Sequence, residues 1–311
     1  HIRLLLMNEI RIMNKIFGMT KVDKRRYECI IKAECVGIGE VKAEEGITYV
    51  NGQEEKEKYM LVKYNDVENK YLKNMNIFLR GKSEKEYIKS VLESYVYAIS
   101  SMEKLNEMGI IFFDFGFKNL RFDKDGTNHC VLCNLEKSII VKDILEENRV
   151  LNLRKYIMAV DDYSLKPFEI HILYYVVQLE NVERLTRQHL KKYAIKYLVN
   201  MKHVWGDKLS DVEHEELKDK CEEQIENMEG KRRDELITYL LEYYETWDNY
   251  SVSMFYMHLV WNIRVGYRNS PNDRFITELW NMMKANITPL MRKRQSIKHT
   301  RNKIKDIVQY I

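Results

Sequence analysis

Between residues 83 and 109 apolar and polar positions alternate with the period of an α-helix. Ile88, Val91, Leu92, Tyr95, Ala98, Ile99, Met102 and Leu105 recur at three-to-four spacing and form one stripe for burial. Ser83-Glu84-Lys85-Glu86 precedes the stripe as a capping box, and Gly109 stops it at the C-terminal end. The period then changes. Leu120-Arg121-Phe122 and Cys130-Val131-Leu132-Cys133 read as two short strands joined by the turn Asp123-Lys124-Asp125-Gly126. Tyr59-Met60-Leu61-Val62-Lys63-Tyr64 reads as a further strand. Helical spacing resumes at Ile170, Leu173, Tyr174 and Val177, and Trp247-Asp248-Asn249-Tyr250-Ser251-Val252 opens a very apolar helix through Met254, Phe255, Met257, Leu259, Val260 and Ile263. Between those two, Arg184 to Val204 is periodic, Ser210-Asp211-Val212-Glu213 is a second capping box, and Glu213 to Tyr244 is helical and charged. Ile297, Ile304, Ile307 and Val308 make the C-terminus an amphipathic last helix with a solvated basic face.

Composition narrows the class without naming a function. The 311 residues, 45% of them hydrophobic, suffice for one bilobal domain or two small ones, and only 12 Gly and 3 Pro mark no long flexible linker. A net charge of +4 from 51 basic and 47 acidic residues is an interleaved surface, which disfavours a nucleic-acid partner. With no apolar run of about 18 residues the expectation is an intracellular, cytoplasmic protein without a membrane partner. Five Cys fit a reducing compartment. The chain opens on His1, so Met7 is the expected start of the native reading frame. Cys130 and Cys133 stand beside His129, but the remaining cysteines supply no second zinc knuckle.

The candidate chemistry lies directly behind the long helix, in Gly109-Ile110-Ile111-Phe112-Phe113-Asp114-Phe115-Gly116-Phe117-Lys118-Asn119-Leu120. One acid and one amide stand five positions apart, Asp114 and Asn119. The segment resembles the catalytic loop of protein kinases, His-Arg-Asp-x-x-x-x-Asn, with Phe112 and Phe113 in place of the histidine and arginine. Pro167-Phe168-Glu169 is similar to the family's Ala-Pro-Glu. Asp248 resembles the aspartate that opens the central helix of the kinase C-lobe, and Pro289-Leu290-Met291-Arg292-Lys293-Arg294-Gln295-Ser296 the signature before its last helix. These landmarks follow the family order over about two thirds of the chain.

The resemblance implies an α+β, protein-kinase-like bilobal fold, with a reduced β-rich N-lobe and hinge at 1–64 and a large, mainly helical C-lobe at 65–311. The long interval from Glu169 to Asp248 implies a helical insertion at about 178–245, similar to those in kinase-like proteins of large DNA viruses. It further implies ATP and Mg as cofactors and a protein substrate or regulated partner protein. Asp114 would be the base, Lys118 a neutralising charge for the phosphoryl group, and Asn119 with Asn134 the metal ligands. Val62, Lys63 and Tyr64 would meet adenine at the hinge. Asp248 would accept hydrogen bonds from catalytic-loop backbone, and Glu169 would pair with Arg294.

The departures are as informative. Asn134-Leu135-Glu136 stands where the family has Asp-Phe-Gly, which leaves a neutral metal site unless a register shift offers Glu136. Gly37-Ile38-Gly39 lacks the third glycine of a Gly-rich loop and also reads as a plain hairpin or bulge. Neither Lys32 nor Lys42 sits in a Val-Ala-x-Lys context. The expectation is therefore a pseudokinase, a binding or regulatory module. The alternatives are a divergent Ser/Thr kinase using Asp114 as base, and a small-molecule kinase of related fold.

Overall fold

The computed structural model describes residues 2–18, 33–40, 58–64, 74–122, 130–146, 148–158, 166–179, 184–266 and 273–308. Within them the protein is mostly helical with a few small antiparallel strands, an α+β chain. In chain order the helices and strands are α1 (Ile2–Gly18), β1 (Ala33–Glu40), β2 (Lys58–Tyr64), α2 (Met75–Leu79), α3 (Glu84–Glu107), β3 (Ile110–Ile111), β4 (Leu120–Phe122), β5 (Cys130–Leu132), β6 (Ile139–Ile140), α4 (Val141–Leu145), α5 (Arg149–Met158), α6 (Phe168–Val176), α7 (Arg187–Trp205), α8 (Asp211–Met228), α9 (Arg233–Leu241), α10 (Trp247–Gly266), α11 (Asp273–Asn286) and α12 (Ile297–Val308).

Helix α3 forms because its start and stop signals agree with its pattern. The Ser83–Glu86 capping box closes its first turn, and Gly109, at φ +66°, turns the chain out just after it. Its apolar stripe is buried against α10 and α12. Polar groups inside that contact are paired: the Tyr256 hydroxyl donates to Ser94 Oγ at 3.1 Å, and the Tyr95 ring lies 4.7 Å from that of Tyr256.

The chain leaves α3 through two short ladders that fix the ends of the Asp114 loop. Strand β3 pairs antiparallel with β6, Ile110 opposite Ile140, and β4 pairs antiparallel with β5, Leu120 opposite Leu132. The tight turn expected between β4 and β5 lies outside the described residues. Strands β1 and β2 are antiparallel, with an irregularity between Cys35 and Gly37. Gly37 and Gly39 are thus strand residues, opposite Leu61 and Tyr59, and not an open loop.

The segment at 178–245 is helical but is not one run from Glu213 to Tyr244. Gly230, at φ +75°, separates α8 from α9, because the left-handed turn there ends a helix at no steric cost to glycine. These helices are part of the core. Tyr197 and Tyr250 hydroxyls meet at 3.0 Å, the Trp205 ring stacks on His258 at 4.5 Å, and Gln224 accepts the Met291 N–H. No helix among the described residues is long and apolar enough to cross a membrane.

Candidate functional site

The Asp114 loop is hung from α10 by one carboxylate. Asp248, buried in the first turn of that helix, accepts the backbone N–H of Phe112 at 2.9 Å and of Phe113 at 2.8 Å. Burial pushes its pKa up to about 6, with the two N–H donors and Lys166 pulling the other way. Phe113 adopts φ +67°, unusual for a bulky side chain, and its ring is buried beside Trp247. Phe112 and Phe115 are also buried, Phe115 edge-on to Phe255 at 5.1 Å. Phe112, Phe113 and Phe115 thus anchor the loop to the core, and Asp114 and Lys118 are the charged groups it presents to the cavity.

Three lysines converge on that carboxylate. Lys166 Nζ donates to Asp114 Oδ1 at 2.9 Å, while Lys118 and Lys137 reach Oδ2 at 3.1 and 3.5 Å. Lys166 also donates to the Phe113 carbonyl at 2.6 Å, and its side chain is 1% exposed. Burial draws the Asp114 pKa upward, but Lys166 and Lys118 outweigh it and hold the group well below the usual carboxylate range. Burial lowers the pKa of Lys166, opposed by Asp114. Asp114 is consequently a firmly ionised counterion with little basicity.

Asn119 lies in a 3-10 turn whose Nδ2 donates to the carbonyls of Cys133 and Asn134, both at 3.2 Å. Its Oδ1 is buried and has no hydrogen-bond partner. Asn134, at φ +59°, donates from Nδ2 to the Lys118 carbonyl at 2.9 Å, so the two expected metal ligands lie on one tied corner. Helix α1 braces that corner from outside. Glu9 accepts the Leu135 N–H at 3.2 Å, and Asn8 donates to the carbonyls of Glu136 and Ser138, both at 2.9 Å. Glu136 lines a separate groove between α1 and α5, with Arg11 and Tyr156, and not the cavity at Asp114.

That cavity has a volume of about 670 Å³. Asp114 with Lys118, Lys137 and Lys166 lines it, together with Phe255, His258 and Asn262 of α10 and Lys208. Lys208 donates to His258 Nδ1 at 2.9 Å and stands 5.5 Å over the Trp205 ring. Burial, then the charge of Lys208, pushes the His258 pKa down to about 4, so its imidazole is neutral at pH 7. Four lysines thus face one carboxylate in the cavity wall.

The structure brings together Asp114, Lys118, Asn119 and Asn134, and sequence reasoning missed Lys137, Lys166, Lys208 and His258 as members of the site. Lys166 stands next to Pro167-Phe168-Glu169, which was the one signal available. Glu169 and Arg294 form a buried ion pair, and Glu169 Oε1 also accepts Trp247 Nε1 at 2.9 Å. Val62, Lys63 and Tyr64 belong to β2, with backbones opposite Cys35, Glu34 and Ala33. Residues 65–73, Lys32 and Lys42 lie outside the described residues. Cys130 and Cys133 are buried and not joined by a disulfide, and no cluster of metal-binding side chains forms among the described residues. The sequence matches no model of a known protein family, and no curated protein matches it.

Proposed function

We propose that the protein is a protein-kinase-like module with a degenerate phosphotransfer centre, a pseudokinase that acts by binding. Two arrangements support kinase-like organisation: Asp248 holding the Phe112 and Phe113 amides, and the Glu169–Arg294 pair. The observation that carries degeneracy is the Asp114 carboxylate. A base must offer a lone pair to the incoming hydroxyl, and this one is engaged by Lys166, Lys118 and Lys137 with its pKa held down.

The metal position points the same way. Asn119 and Asn134 provide amide oxygens and no carboxylate, and magnesium surrenders water reluctantly to neutral ligands. The donor set does not fit a tightly held magnesium ion. One observation favours the second reading, an active divergent Ser/Thr kinase: the buried, unpartnered Oδ1 of Asn119 is an acceptor in need of a donor or a cation.

The two readings separate in an ATP titration of the folded protein with excess magnesium and again with EDTA. Metal-independent binding, or none, is expected for the pseudokinase. Tighter binding with magnesium that disappears in Asn134→Ala would replace it with the active kinase.

A further inference from the structure

Lys208 is a half-buried lysine in the cavity wall whose partners are a neutral imidazole and an aromatic ring. Among the described residues no carboxylate pairs with it. A desolvated cation without a counter-charge is costly, and the cost falls when a ligand supplies the anion. Three further lysines, Lys118, Lys137 and Lys166, line the same cavity and reach the Asp114 carboxylate. A concave site whose charged lining is mainly of one sign focuses its potential on whatever enters.

We propose that this cavity receives an acidic segment of a partner protein, whose carboxylate or phosphate side chain seats on Lys208. The inference rests on the pseudokinase reading only in taking a protein segment as the occupant; the charge argument stands without it. Two of the lining residues, Lys118 and Phe117, are 49% and 47% exposed, so the cavity is open to solvent beside a cation and an aromatic ring, which suits a segment that continues beyond it. Lys208 follows α7 in the segment inserted between Glu169 and Asp248, which gives that segment a role: it carries the charge that selects the ligand.

The test is fluorescence anisotropy of the full chain, without nucleotide, with three labelled serine peptides flanked by Glu and Asp, by Ala, or by Lys. The acidic peptide is expected to bind, to weaken as NaCl rises, and to lose about tenfold or more in affinity in Lys208→Glu, one charge contact being of that order. Lys208→Arg keeps the charge and is expected to retain most of the affinity, and a thermal melt of each variant verifies folding. Binding blind to peptide charge, or unchanged in a folded Lys208→Glu, would overturn the proposal. Inorganic phosphate is the competitor: displacement only at concentrations far above that of the peptide supports a peptide site, whereas displacement at equal concentration means a free-anion site and overturns it. Magnesium-dependent ATP binding lost in Asn134→Ala would overturn the pseudokinase reading and leave the peptide result intact, so the failure of that reading and the failure of the acidic-segment reading are told apart.

Discussion

Asp248 shows how one side chain sets the geometry of a loop it does not belong to. Its two oxygens hold consecutive amides, and in Asp248→Ala both N–H groups would be buried and unpaired. At roughly 1–3 kcal/mol for each unsatisfied group, the loss is expected to be about 3 kcal/mol, read as a lower denaturation midpoint. His258 gives a signed pH dependence. Its pKa falls from 6.5 to about 4 on folding, so stability present above pH 6.5 is lost as the pH drops toward 4. Asp248 acts oppositely, because a pKa raised from 3.8 to about 6 removes stability as the pH rises across that interval. The midpoint of His258→Phe is accordingly expected to fall less on acidification from pH 6.5 to 4 than that of the parent protein, and an equal slope would refute the assignment. Asp114, Asn119 and Asp248 were legible because spacing and motif order single them out. Lys137, Lys166 and Lys208 were not, since a lysine on a solvated face and one converging on a carboxylate look alike in sequence, and these come from three distant segments.

Among the elements, α3 and α8 were the most legible, because each has a cap and a period that agree. Ser210 accepts the Glu213 N–H and Glu213 returns the bond to the Ser210 N–H at 2.8 Å. Ser210→Ala is expected to cost about 1 kcal/mol, visible as a drop in the melting temperature. The break at 229–232 was not read, since the flanking residues keep helical composition; there Gly230 takes a left-handed φ and Arg232 is extended, in a bridge with Arg184. The short pairs β3–β6 and β4–β5 differ in the same way: the second was predicted from alternation, whereas two-residue strands carry no period to read. Their effect is large despite their length, because they fix both ends of the segment that presents Asp114.

Across the whole molecule, the Glu169–Arg294 pair ties the entry of α6 to the approach to α12, 125 residues apart. Glu169 Oε2 and Arg294 Nη1 have no partner, so the pair is incompletely satisfied, and removing one member strands the other. Either Glu169→Gln or Arg294→Met is expected to cost about 3–5 kcal/mol, and the double variant less than the sum of the two. Chemical denaturation of all four proteins in the cycle measures this; simple additivity would mean that the side chains do not act as a pair.

The four tryptophans, Trp205, Trp247, Trp261 and Trp280, all fall within α7, α10 and α11, and Trp205 stacks on the imidazole that accepts from Lys208. Intrinsic emission therefore watches the helical body and the wall of the cavity, while α1, β1 and β2 lack an indole reporter. Opening of those N-terminal elements alone would be optically silent in tryptophan fluorescence yet visible in far-UV circular dichroism, so agreement between the two signals during unfolding measures whether both parts melt together.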